Sequence, residues 1–136
     1  MRKRQMLEHD DASHIADAAR RAALEAGIRV AIAIVDDGGR LLRFERMDGV
    51  APITVDAAID KARSASLTQR DTRVWQERVL DRPNYLRLPI LPIEGGIVIR
   101  VGDECVGGLG ISGGTADEDG RIATAALAAL GAGAGL

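Results

Sequence analysis

Apolar positions recur along the chain with helical spacing in four segments. Residues 7–26 carry an alanine-rich apolar face with this spacing, which predicts a first helix. The pattern returns at residues 55–69, where Thr54 is the predicted N-cap. A short amphipathic helix is expected at residues 71–80. Residues 121–130 are apolar on most sides, so they predict a final helix packed inside the protein.

Strand patterns occur in two pairs. Residues 29–35 are apolar on both faces, a turn signal of two aspartates and two glycines follows at 36–39, and residues 40–46 alternate. This arrangement predicts a β-hairpin. Residues 97–101 and 104–112 predict a second antiparallel pair around a tight turn.

The first strand, with two apolar faces, requires cover on both sides, which predicts helices above and below the sheet. Pro83, Pro89 and Pro92 indicate an irregular connection, in which Ile90 and Ile93 suggest a short edge strand. We therefore expect one domain over residues 1–136 of the α/β class, in three layers with four or five antiparallel strands. Its ends, at about 1–6 and 131–136, are expected to be flexible.

Composition narrows the function. Of the 136 residues 46% are hydrophobic and 28% are charged, which is ordinary for a globular domain. The net charge of −2 and 2% aromatic residues argue against a nucleic-acid surface. No apolar stretch approaches the length of a membrane span, and the basic N-terminus has no hydrophobic region behind it. One cysteine, Cys105, excludes an internal disulfide framework. A cytoplasmic protein without membrane or nucleic-acid partners is expected.

A literal G-x-G-x-x-G pattern lies at residues 108–113. A dinucleotide fingerprint opens a βαβ unit, and here no strand pattern follows the last helix. The glycines are more typical of a strand that approaches a helix or a ligand closely. Ser112 also fits a hydrolase pattern, but the sequence places no triad partner beside it. We expect residues 113–120 to form a turn-rich loop.

The two histidines, His9 and His14, lie five positions apart in the first predicted helix, so they point from different faces. With no further ligands, a metal site of protein side chains is not expected. A single histidine can still be an axial ligand of haem. Cys105 has no histidine nearby in sequence and is expected to be an inert thiol.

Lys61 is one of only two lysines and borders the apolar stripe of the second predicted helix. A lysine at such a position extends to solvent or pairs with an anion. Asp36, at the end of the first strand, and Arg46, at the end of the hairpin, are also charged groups at the rim of the sheet. Together the three side chains could bind or polarise a carboxylate-bearing molecule. The alternative, a structural ion-pair network, is favoured by the spacing alone.

Five segments, in a fixed order along the chain, carry a recognisable combination of motifs. They are 30–39 (VAIAIVDDGG), 41–48 (LLRFERMD), 57–65 (AAIDKARSA), 94–96 (EGG) and 106–114 (VGGLGISGG) followed by Asp119. Together they resemble the GlcG/HbpS family (DUF336), which is also found as the C-terminal domain of PduO-type proteins. The resemblance implies a profilin-like α/β/α domain with a five-stranded antiparallel sheet, and a homo-oligomer, from dimer to octamer. Some members bind haem, and others have poorly defined roles or act on small metabolites.

The family motifs transfer to this chain position by position, and the resemblance implies that they line one pocket or interface. His14 is the residue that matches a haem-ligating histidine in the first helix of some members. The matching ligand-binding candidates are His14, Met47, Asp48, Glu94, Gly95, Gly96 and Asp119.

Three possibilities follow for the function. The first is a small oligomeric binding protein for an organic ligand, either haem or a carboxylate-bearing or oxygenated metabolite. The alternative is an isomerase, lyase or hydrolase of small molecules. Its catalytic set would be Lys61 as base or electrostatic clamp, Arg46 as anion anchor, and Asp36 or Glu94 as acid–base partner. A purely structural role for the charged cluster is the third possibility. Haem is the one candidate cofactor.

Overall fold

The structure, a computed structural model, describes residues 1–131, so most of the predicted flexible C-terminal tail lies outside the described residues. Residues 1–6 form no helix or strand, and Leu7 is the first buried side chain. The elements follow the predicted order. They are α1 (His9–Ala26), β1 (Ala31–Asp36), β2 (Leu41–Arg46), α2 (Ile53–Thr68), α3 (Thr72–Asp81), a 3₁₀ turn (Pro83–Arg87), β3 (Gly96–Val101), β4 (Glu104–Ser112) and α4 (Ala116–Gly131).

The four strands form one antiparallel sheet in the order β2-β1-β4-β3. Both predicted hairpins are present, and β4 pairs with β1 to join them. Ala31 stands opposite Arg46 on one side and opposite Ser112 on the other, which fixes the register at one end of the sheet. The α/β class with an antiparallel sheet is therefore confirmed.

The expectation of a fifth strand at Ile90 and Ile93 is wrong. Pro89 and Pro92 have no amide hydrogen for a strand ladder. The amides of Ile90 and Ile93 donate to the carbonyl oxygens of residues 88 and 91, two positions back in each case. The segment is instead attached to α2, where the hydroxyl oxygen of Ser64 accepts the amide of Leu91 at 2.8 Å.

Two helix starts also differ from the prediction. The cap position of α2 is Pro52, and the Thr54 hydroxyl donates to the carbonyl of Ala51. Helix α4 begins five residues before the predicted position, inside the expected loop. Its start is stabilised by a reciprocal pair, in which Thr115 accepts the amide of Glu118 while the Glu118 carboxylate accepts the amide of Thr115. That pattern outweighs the helix-breaking tendency of the glycines around it.

The two faces of the sheet carry side chains of different size. Large residues such as Ile32, Ile34 and Leu109 pack against α1 and α4. Alanines and a valine face α2 on the other side. Within the described chain, no helix combines the length and hydropathy needed to cross a membrane.

The glycines of β4 explain how α2 packs so closely. A Cβ atom at Gly108 would overlap the carbonyl oxygen of Ala62, and one at Gly110 would overlap that of Ala58. The strand and the helix backbone are therefore in direct contact. This confirms that the G-x-G pattern serves close packing of a strand against a helix.

Candidate functional site

A buried ion pair joins the two helical layers at one end of the sheet. The Nζ atom of Lys61, on α2, lies 3.1 Å from Oδ2 of Asp119, on α4, and donates to the carbonyl of Ile111 at 3.0 Å. The two residues are 3% and 2% exposed. The other carboxylate oxygen of Asp119 accepts the amide of Gly114 at 2.8 Å. Every charged atom of the pair thus has a partner within the protein.

Burial raises the pKa of the Asp119 carboxyl above its ordinary value. The positive charge of Lys61 opposes this shift, as do hydrogen bonds from the amides of Gly114 and Gly113, but the cost of burial is larger. Burial therefore disfavours the charged form of each group, and each charge is stabilised by the opposite charge of its partner.

The glycine pair of the EGG motif lies directly against Lys61. Gly95 has a φ of +130°, and a Cβ there would stand 2.6 Å from the Ile111 carbonyl oxygen and 2.9 Å from Nζ of Lys61. A Cβ at Gly96 would overlap the backbone of Lys61. Both glycines are thus required for β3 to begin beside α2, on packing grounds alone.

Glu94 and Gly120 form the outer wall of this region. A carboxylate oxygen of Glu94 occupies the space that a Cβ at Gly120 would need. The backbone amide of Glu94 donates to the side chain of Gln76 at 2.8 Å. Glu94 and Gly120 line a cavity of about 100 Å³, here called the edge pocket. It is lined by Asp71, Arg73, Glu94, Gly95, Gly96, Ile97, Gly120 and Thr124.

Arg46, Met47 and Asp48 lie at the same end of the sheet but at its other edge. Since β1 and β4 stand between them and β3, roughly 10–15 Å separates them from Lys61. Arg46 and Asp48 are exposed, while the sulfur of Met47 accepts the amide of Val30 at 3.4 Å and packs on the core. The structure places these three residues together, but away from the edge pocket.

Asp36 lies at the opposite end of β1. Its side chain accepts the amides of Gly38 and Arg40, both at 2.9 Å, and so holds the hairpin turn. The length of β1, roughly 17 Å for six residues, separates Asp36 from the end at which Lys61 lies. The structure therefore does not bring Asp36, Arg46 and Lys61 together.

His14 is exposed on α1. No group of three or more His, Cys, Asp or Glu side chains within residues 1–131 could hold a metal ion. Cys105 is half-buried, and its thiol lies 3.7 Å from the carbonyl oxygens of Ser66 and Gly107.

Sequence reasoning missed Thr72 and Arg73. Thr72 is fully buried, and its hydroxyl oxygen accepts the amide of Gly96 at 2.9 Å and donates to the carbonyl of Gly96 at 3.3 Å. Arg73 places the one positive charge on the wall of the edge pocket. The one signal in the sequence was the position of both residues at a helix start, which predicts no contact with a distant strand.

Three comparisons bear on the identity of the chain. A model of the family described as "Haem degrading protein HbpS-like" matches residues 7–128. Protein GlcG of Escherichia coli strain K12 is 37% identical over 114 residues, which cover 82% of this chain and 85% of GlcG.

Among solved structures, a double mutant of Streptomyces reticuli HbpS superposes with a TM-score of 0.87 at 30% identity, covering 96% of this chain and 90% of that one. A crystal structure of PduOC in complex with haem matches with a TM-score of 0.83 at 27% identity, covering 92% of this chain and 95% of that one. The resemblance to the GlcG/HbpS family that the sequence motifs suggested is confirmed.

Proposed function

Since the chain belongs to the HbpS-like family, we propose that it binds a small organic ligand, and that the ligand carries both a carboxylate and a hydroxyl group. The observation that carries this proposal is the edge pocket. It is lined by Arg73 and Glu94, and also by Asp71, whose carboxylate accepts the amide of Val98 at 2.9 Å. A guanidinium binds a carboxylate through paired hydrogen bonds, and a carboxylate accepts from a hydroxyl group.

The size of the cavity supports a small ligand. At about 100 Å³ it is well below the roughly 300–1,000 Å³ typical of pockets for drug-sized molecules. The glycines contribute backbone rather than side chains to the wall, which allows a ligand to approach the main chain closely.

Lys61 and Asp119 act here as positioning residues. Their ion pair fixes the start of α4, which includes Gly120, and the turn before β3, which includes Gly95. An enzymatic role stays a prediction. Of the two acid–base partners expected for Lys61, Glu94 lies on the edge pocket and Asp36 lies at the far end of the sheet.

Lactate is a suitable probe because two close analogues each lack one of its groups. We expect lactate to raise the melting temperature and to bind saturably in calorimetry, whereas propionate and 1,2-propanediol bind far more weakly. Glu94→Gln and Arg73→Gln should each weaken lactate binding. Arg21→Gln is the matched control, since Arg21 is exposed on α1 and does not line the edge pocket. Absence of binding, or equal binding of all three compounds, would refute the edge pocket as the ligand site.

Haem is the second candidate, supported by the haem complex of PduOC and by the description of the family. Within one chain the described residues do not fit haem. His14 is exposed and lines neither the edge pocket nor any of the three larger described cavities, of about 330, 410 and 400 Å³. Haem held through His14 would therefore need a second copy of the chain to cover it. For either ligand, the proposed function includes assembly of the protein as a homo-oligomer and a cytoplasmic location.

A hemin titration read by absorbance tests the second candidate. A saturable shift of the Soret band that is lost in His14→Ala and kept in His9→Ala would support it. His9 is the matched control because it is also exposed on α1. No shift, or a shift that His14→Ala leaves unchanged, would exclude haem ligation by His14. Size-exclusion chromatography of the same samples measures whether haem binding requires an oligomer.

A further inference from the structure

A second cavity lies between the C-terminal end of α3 and the 3₁₀ turn, and it shares no lining residue with the edge pocket. Its volume is about 400 Å³, and its walls are Arg78, Asp81, Arg82 and Tyr85. This volume is within the range of roughly 300–1,000 Å³ that holds organic ligands with a ring. We propose that this cavity binds a singly charged aromatic carboxylate.

The first support is a guanidinium held in place without an acidic partner. The Cζ atom of Arg78 lies 5.3 Å from the centre of the Trp75 ring, a cation–π arrangement. Among residues 1–131, neither Arg78 nor Arg82 forms a salt bridge or a side-chain hydrogen bond. The arginines that form ion pairs in the described chain are Arg4, Arg20, Arg43, Arg73 and Arg121. The hydrogen-bond donors of both guanidinium groups are thus available to a carboxylate.

The second support is the rigidity of the aromatic platform behind Arg78. The indole N–H of Trp75 donates to the hydroxyl oxygen of Thr68 at 2.9 Å, and its ring is buried. Tyr85 meets the Trp75 ring edge to face, with 5.4 Å between ring centres. The Tyr85 ring, half-buried at the cavity wall, offers an apolar surface to a ligand ring. The only tyrosine of the chain therefore lies on the cavity wall, and the only tryptophan packs against it and against Arg78 from behind.

The third support concerns the charge of the ligand. The cavity is lined by two positive side chains, Arg78 and Arg82, and one negative side chain, Asp81, so its net charge is close to +1. One carboxylate balances that charge. A phosphate with two negative charges loses much more hydration on entering the cavity, and Asp81 cancels part of the attraction of the two guanidinium groups that would offset this cost. The cavity therefore favours an aromatic monocarboxylate over an aromatic phosphate.

The fluorescence of Trp75 reports on the cavity, because Trp75 is the single tryptophan and packs against two of the lining residues, Arg78 and Tyr85. Titrations of the full chain would use benzoate, the neutral benzyl alcohol and phenyl phosphate, at a pH well above about 6 so that the phosphate is doubly charged. We expect a saturable change with benzoate and binding at least about tenfold weaker for both analogues. Equal responses to benzoate and benzyl alcohol would overturn the proposal, as would no saturable response to benzoate.

Arg82→Gln should weaken benzoate binding by about tenfold or more, since a hydrogen bond to a charged group is lost. The variant should fold normally because the Arg82 side chain makes no other contact with a described polar group. Arg87→Gln is the matched control, because Arg87 follows on the same segment and does not line the cavity. Benzoate binding that Arg82→Gln leaves unchanged would refute the site. Retained benzoate binding in Glu94→Gln would show that this site is independent of the edge pocket.

Discussion

The ammonium group of Lys61 lies 3.1 Å from a carboxylate oxygen of Asp119, although the two residues are 58 positions apart and belong to helices on opposite faces of the sheet. The contact forms at the end of β4, where the chain turns from Ser112 into α4. One ion pair thus connects both outer layers to the strand between them. The stability of the fold and the shape of the edge pocket depend on the same two side chains.

Lys61→Met should lower the free energy of unfolding by about 3–5 kcal/mol, because it leaves the Asp119 carboxylate buried without its counter-charge. Urea denaturation monitored by circular dichroism measures the change. The control is the double variant Lys61→Met with Asp119→Asn, which leaves no unpaired charge and keeps an oxygen for the Gly114 amide. The double variant should be more stable than Lys61→Met alone. Additive losses would mean that the two charges do not stabilise each other.

The raised pKa of Asp119 predicts a pH dependence with a definite sign. A carboxyl group whose pKa is higher in the folded state binds protons more tightly when folded, so it favours folding at low pH. As pH rises from the ordinary carboxyl pKa through the raised one, this contribution is lost.

The experiment compares wild type with Asp119→Asn across that range. The stability of wild type relative to the variant should fall with rising pH and then become constant. A rise instead would show that attraction to Lys61 exceeds the cost of burial.

Gly110→Ala should cost about 3 kcal/mol, near the upper end of the range for overpacked cores, because the new Cβ would overlap backbone atoms of Ala58. Neither the strand nor the helix backbone can move away without disturbing the core. Gly38→Ala is the control, since the atom nearest to its Cβ is the flexible tip of Arg40, at 2.9 Å. Its cost should stay within about 0.5 kcal/mol. Thermal melts of both variants measure the difference, and similar losses would contradict close packing of α2 on β4.

Local patterns predicted the helices and hairpins well because their signals are complete within a few residues. The turn after Val35 required only the sequence Asp-Asp-Gly-Gly. The failures depended on partners elsewhere in the chain. Ile90 and Ile93 have the apolar character of a strand, yet the prolines beside them remove the hydrogen bonds that a neighbouring strand would need.

The candidate site was predicted only in part, because it also depends on contacts between distant parts of the chain. The sequence groups Asp36 and Lys61 as charged residues near the rim of the sheet, but a periodic pattern does not show which end of the sheet a residue occupies. The register does, because Asp36 pairs with Gly107 while Lys61 contacts Ile111. Asp119 came from the family motif, and the pattern of the last helix alone gave no reason to expect its contact with Lys61.

Thr72→Val should lower the free energy of unfolding by about 1–3 kcal/mol, although valine has nearly the same shape. The Thr72 hydroxyl bonds both the amide and the carbonyl of Gly96, so valine leaves the buried amide of an edge strand without an acceptor. Thr72→Ser keeps the hydroxyl and should lose less stability than Thr72→Val. The second readout is hydrogen exchange at the Gly96 amide, which should be faster in Thr72→Val than in Thr72→Ser. Since Gly96 also lines the edge pocket, lactate binding should weaken in the same order. If Thr72→Val is as stable as wild type and exchange is unchanged, Thr72 contributes shape alone, and another group holds the start of β3.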